Sequence, residues 1–187
     1  MVSMDIKMER RLAAFHEAGH VVMALSCGLR FRRVLIDLDH QYFVGLVEGT
    51  GDRRASSYTH ALVHAAGPVA DMLALRGKRA DPGAIVTAIN LNHSKSSQFY
   101  YDLLYAKQNA RAAGIVDESK GVRCQQRQFR SFLIGVSETV REQWPLINRL
   151  AQALLAEGTL TYAECKELLW RRQRTNGRVG RAPAKAA

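Results

Sequence analysis

The stretch AAFHEAGHVV, residues 13–22, sets two histidines four apart, with a glutamate directly after the first, inside an otherwise apolar segment. Leu12, Phe15, Gly19, Val22 and Met23 recur at helical spacing between about Ile6 and Cys27, and Gly28 supplies a residue at which a helix can stop. The segment therefore predicts a helix, and residues four apart project from one face of it. His16 and His20 can each direct an imidazole nitrogen at one metal ion, at about 2.0–2.1 Å. Glu17 is rotated from His16 by roughly 100° about the helix axis, so it need not bind the metal yet can reach a water beside it. A metal there makes water nucleophilic near neutral pH and polarises a carbonyl. The triplet thus points to metal-assisted amide hydrolysis, with Glu17 as the general base.

By composition alone, roughly one shuffled chain in a hundred would contain His-Glu-x-x-His. The neighbours argue further against coincidence. Ala13, Ala14, Ala18, Gly19, Val21 and Val22 make the surroundings small and apolar, a poor place for two imidazoles and a carboxylate that lack a partner.

Downstream, FRRVLIDLD (31–39) and YFVGLVEG (42–49) are rich in branched and aromatic residues and are separated by the turn-like DHQ, which predicts two adjacent strands. SSYTHALVHAAGPVADMLALRG (56–77) returns to helical periodicity, closes on Gly77 and holds a Gly-Pro pair at 67–68 that can kink it. A short helix around Ala84 to Leu91 and a longer one from about Ser96 to Ala113 follow. Val122 to Trp170 reads as helices broken near QWP and EGTLT, with Thr161 and Glu164 in capping-box spacing before the last. The fold class expected is α+β, predominantly helical, with a small strand pair or sheet beside the first helix.

At 187 residues and 47% hydrophobic, the chain suits one sizeable core. Its division is read as a domain over 1–170 and a basic tail over 171–187. That tail holds Arg171, Arg172, Arg174, Arg178, Arg181 and Lys185 with no acidic residue, and removing these six charges from the net +10 leaves +4. Such a segment reads as a disordered arm that could meet an anionic partner, although a solubilising tail explains it as well. Cys27, Cys124 and Cys165 form no CxxC pair, so they read as buried free thiols rather than a disulfide framework or a zinc site. No run approaches the roughly 18 apolar residues of a membrane span, and the first residues lack the apolar centre of a signal peptide. The expected location is cytoplasmic.

The quoted motifs also resemble a known family. AAFHEAGHVVMALSCG (13–28) is similar to the zinc helix of peptidase family M41, the protease domain of FtsH-type ATP-dependent proteases. HALVHAAGPVADMLALRG (60–77) resembles that family's helix of the form ALAGRAAEELVFG, with Gly67, Ala70 and Asp71 at matching places, Asp71 standing where glutamate is usual. LINRLAQALLAEGTLTYAECKELL (146–169) resembles its closing segment. The resemblance spans most of residues 9–169 in the same order. It implies a zinc metalloendopeptidase with one Zn2+ per chain, held by His16, His20 and a third ligand that in the family is an aspartate followed by leucine, spaced alanines and arginine. DLLYAKQNAR (102–111) offers Asp102, Leu103, Ala106, Ala110 and Arg111 in that register, which would put Asp102 at the start of a helix.

Asp81, Asp71 and His93 are the rival third ligands. Asp81 precedes a proline and lacks the alanine register, Asp71 sits in a helix the family uses for packing, and His93 falls in a polar stretch. His40, His60 and His64 read as solvated or hydrogen-bonded histidines; His60 and His64 are four apart but lack an adjacent glutamate. Two departures from the family stand out. The chain has no GxxxxGK[ST] loop and hence no ATPase module, and about 25 residues separate Gly77 from Asp102, longer than the family's link. The expected activity is hydrolysis of a protein or peptide substrate without an ATPase of its own. A silent zinc-binding adaptor, docking on an acidic partner or nucleic acid, is the alternative. Charge alone favours a DNA-binding protein, for which no recognition motif is present.

Overall fold

The computed structural model describes residues 2–36, 45–49, 55–77, 79–91 and 98–176. Helix α1 (Val2–Ser26) is the centre of the fold: every residue from Ala14 to Ala24 is buried. Small side chains explain how a helix can be enclosed on all sides. At Gly19 a Cβ would stand 2.7 Å from the Ala66 carbonyl oxygen and 2.8 Å from the Ala70 methyl, so glycine lets α2 (Ser57–Arg76) lie directly on α1. On another side Phe15 stacks face to face on Trp144, 5.1 Å between centroids, at the start of α6 (Trp144–Glu157).

Helix α2 opens on Ser56, whose hydroxyl accepts from the Thr59 N–H at 3.2 Å, and closes where Gly77 takes φ +85°. Pro68 sits inside it, and the helix runs through the Gly-Pro pair as one element. Around α2 pack α3 (Pro82–Leu91), α4 (Gln98–Ala112) and α5 (Val122–Glu142). The face of α4 that meets α2 is made of small and apolar residues: Leu103, Ala106 and Ala110 are buried.

The sheet is antiparallel and three-stranded, in the order β2 (Gly45–Glu48), β1 (Arg33–Ile36), β3 (Thr159–Thr161). Val34 pairs with Val47 on one side and Leu160 on the other, and Val34, Ile36 and Leu160 all face the core. Both expected stretches contain a strand, and residues 37–44, with the connecting turn, lie outside the described residues. Strand β3 was not expected. Three residues are too few for a period to show, and the strand exists because Gly158, at φ +71°, turns the chain out of α6 and onto β1.

Thr161 and Glu164 form the anticipated capping box at the start of α7 (Tyr162–Asn176): the Thr161 N–H donates to Glu164 Oε2 at 2.7 Å, and the Glu164 N–H donates to Thr161 Oγ1 at 3.4 Å. Helix α7 continues to Asn176, six residues past the boundary assigned to the basic tail; residues 177–187 lie outside the described residues. The class is α+β and mostly helical, and among the described residues no helix is long and apolar enough to cross a membrane. All three cysteines are free; burial, with the neighbouring Glu164 charge, pushes the Cys165 thiol up to about 12.

Candidate metal centre

Three helices meet where the His-Glu-x-x-His triplet lies. His16 and His20, one turn apart on α1, bring their Nε2 atoms within 3.1 Å, the rings edge to face. Asp102 reaches in from α4, its Oδ2 2.9 Å from His16 Nε2 and 3.4 Å from His20 Nε2. His16, Glu17, His20 and Asp102 are each no more than 6% exposed. Helix α2 lies across the pair and holds both rings from behind. His16 Nδ1–H donates to Asp71 Oδ2 at 2.7 Å, and His20 Nδ1–H donates to the Val63 carbonyl at 2.7 Å.

These outer bonds determine what the inner atoms can do. A carbonyl only accepts, so the proton of a neutral His20 sits on Nδ1 and its Nε2 presents a lone pair. Asp71 asks the same of His16. Two imidazole lone pairs and a carboxylate oxygen then converge on one point, with edges of 2.9, 3.1 and 3.4 Å. Ligands about 2.0–2.1 Å from a tetrahedral metal lie about 3.3 Å from one another. The triangle has the dimensions of three corners of such a set, so these residues could hold a metal ion.

The space beside the nitrogens is kept clear by Gly67 of α2. A Cβ there would lie 2.9 Å from His16 Nε2 and closer still to His20 Nε2. Glycine is the one residue that leaves the approach open while the helix stays in contact.

The same contacts govern where protons sit among these groups. Burial by itself lowers the pKa of His16, but the Asp71 charge and hydrogen bonds to Asp102 and Asp71 outweigh it and raise the value well above the ordinary one. His20 is raised in the same way, burial being overcome chiefly by Asp102. Burial works against the ionised form of Asp102, yet bonds and charge from His16 and His20 hold it far below the usual carboxylate range. A proton on His16 Nε2 can bridge to Asp102 Oδ2 at 2.9 Å, and one on His20 Nε2 can be shared with His16 Nε2 at 3.1 Å or Asp102 Oδ2 at 3.4 Å. Glu17 and Asp71 are both pushed up by burial, against the pull of the two histidines.

Of the rival third ligands, Asp81 is exposed and accepts from the Ala84 N–H at 3.0 Å, a cap on α3 remote from the triplet in role. His93 and His40 lie outside the described residues. Asp71 touches His16 on the side away from the convergence point, so it orients a ligand rather than competing for the place of one. Its role was missed in the sequence, where it was read as part of a packing helix. The available signal was chemical: it is the one acid among the otherwise buried, apolar residues Gly67 to Leu73, and a carboxylate so placed requires a partner.

One further expectation needs correction. Asp102 does not open its helix: α4 begins at Gln98 and carries no acid in its first turn. Phe99, packed against the core, carries the helix upstream. The dipole of a helix N-terminus therefore does not account for Asp102, whose buried contacts are His16, His20 and His64. His64, half-exposed on α2, is one of the histidines expected to be solvated or hydrogen-bonded, and its Nδ1 lies 3.4 Å from Asp102 Oδ1.

Comparison with known protein families and with curated protein sequences finds no match to this chain.

Proposed function

We propose that the chain is a zinc-dependent metallopeptidase, similar in its residues to the M41 peptidases. The observation that carries this reading is the convergence of His16 Nε2, His20 Nε2 and Asp102 Oδ2 at 2.9–3.4 Å beneath Gly67, with Glu17 buried beside them. Two imidazoles and one carboxylate are the donor set of catalytic zinc, which keeps its fourth position for water or substrate. Zinc so held supplies Lewis acidity toward a peptide carbonyl and toward water.

The remaining chemistry falls to Glu17. Burial raises its pKa, which makes the carboxylate a better base than an exposed one. It takes a proton from water as the water oxygen bonds to the carbonyl carbon. It returns that proton to the amide nitrogen as the carbon–nitrogen bond breaks, leaving a carboxylic acid and an amine. Asp71 keeps His16 in the tautomer that faces inward. Exposed Tyr105, on the helix that carries Asp102 and against the His64 ring, offers apolar surface near the site. Strand β2, at the edge of the sheet and in contact with α1, could pair with an extended chain.

Cleavage of unfolded casein by the zinc-loaded protein tests the reading. The wild type should cleave, and Glu17→Gln should keep its zinc while losing about 100-fold or more in rate. Activity of Glu17→Gln within a few-fold of wild type, or no cleavage by the zinc-loaded wild type, would overturn it.

A further inference from the structure

Helix α2 does more than cover the histidine pair. His64, Gly67 and Asp71 follow one another at i, i+3 and i+7, the spacing of a single helical face. Each meets the site: Asp71 bonds His16 Nδ1, Gly67 lies over the two Nε2 atoms, and His64 Nδ1 approaches Asp102 Oδ1 at 3.4 Å. The first two are accounted for above. The third has no part in the histidine triplet and none in the proposed chemistry.

We infer that His64 is a positioning residue for Asp102, fixing which carboxylate oxygen faces a metal; this rests on the metal reading above. A carboxylate can bind a metal through one oxygen or through both, and a free one can turn between these modes. In this site the two oxygens have different partners. Oδ2 is turned to His16 and His20, whereas Oδ1 is turned to His64. A hydrogen bond from His64 Nδ1–H occupies Oδ1 and leaves Oδ2 as the single metal-facing atom, the one-oxygen mode a four-coordinate site needs. The imidazole is itself held in place: its ring lies against Tyr105, centroids 5.4 Å apart and planes 36° from parallel, and Tyr105 is three residues beyond Asp102 on the same helix. His64 and Tyr105 thereby clasp α4 to α2 at the level of Asp102.

The test compares His64→Leu, which lacks a donor, with His64→Asn, whose amide N–H can take the place of Nδ1–H. Zinc affinity is read by competition with a chromophoric chelator, and coordination by the visible absorption of the cobalt-substituted protein. Removing such an outer partner should weaken zinc binding by about 10–100-fold in His64→Leu, while His64→Asn stays within about threefold of wild type. The cobalt bands of His64→Leu should lose intensity as the carboxylate turns to bind through both oxygens, and those of His64→Asn should not. If His64→Leu does not fold, His64→Ala, which also lacks a donor, replaces it with the same expectation. Wild-type affinity and spectrum in the variant lacking the donor would overturn the inference, as would equal losses in His64→Asn. A wild type that binds no zinc, so that His16→Ala changes nothing, would overturn the metal reading and this inference together.

Discussion

Asp71 Oδ2 accepts a 2.7 Å hydrogen bond from His16 Nδ1, so a residue of α2 sets which nitrogen of an α1 histidine faces the convergence point. Such outer partners typically contribute about 10–100-fold in metal affinity, whereas loss of a ligand costs orders of magnitude. Asp71→Ala should therefore weaken zinc by about 10–100-fold and Asp102→Ala by far more. Competition with a chelator ranks the two. An equal loss in both would mean that Asp71 has been given too small a role.

Gly67→Ala should cost the site more than the fold. The added methyl meets His16 Nε2 and His20 Nε2, and overpacking of this kind typically costs about 1–3 kcal/mol. Expected are an unfolding free energy lowered by that amount and zinc affinity lost almost entirely. Unchanged zinc binding in Gly67→Ala would show that the metal does not sit where the nitrogens converge.

The metal-free protein should become less stable as pH rises above about 6.5. His16 and His20 have folded-state pKa values raised above the ordinary one. The stability they contribute is complete below the unfolded value and is lost as pH climbs through the folded values. Glu17 and Asp71, raised by burial, act with the same sign. Asp102, held low, matters only under acid conditions, where its contribution is lost as pH falls. Zinc affinity should change in the opposite direction, strengthening over the same interval because the two histidines must give up protons to bind it. Urea midpoints at a series of pH values, with and without zinc, check both signs; metal-free stability that rises with pH would contradict them.

How much of this was readable beforehand follows from where each partner lies in the chain. His16, Glu17 and His20 share one turn of one helix, so helical period alone relates them. Asp102 is 86 residues from His16; only a resemblance in register singled it out, and that register misplaced it at a helix start. Asp71 and His64 belong to the site because α2 crosses α1 at Gly19 and Ala66, a packing contact between small residues that no local pattern announces. Strand β3 is likewise a product of its partner: Thr159–Thr161 is extended because β1 lies beside it.

Phe15, directly before His16, is buried to 1% exposure and stacked on Trp144. Phe15→Ala should destabilise the protein by about 3–5 kcal/mol, the cost of emptying a large core site. Denaturant unfolding measures it. A loss under 1 kcal/mol would mean that α6 does not seat on α1 as described.

Zinc content after dialysis against a mild chelator tests the three-residue centre most directly. The wild type should retain about one zinc per chain, and His16→Ala, His20→Ala and Asp102→Ala should each retain none, while Asp81→Ala matches wild type. Stoichiometric zinc in Asp102→Ala, or none in the wild type, would contradict the account.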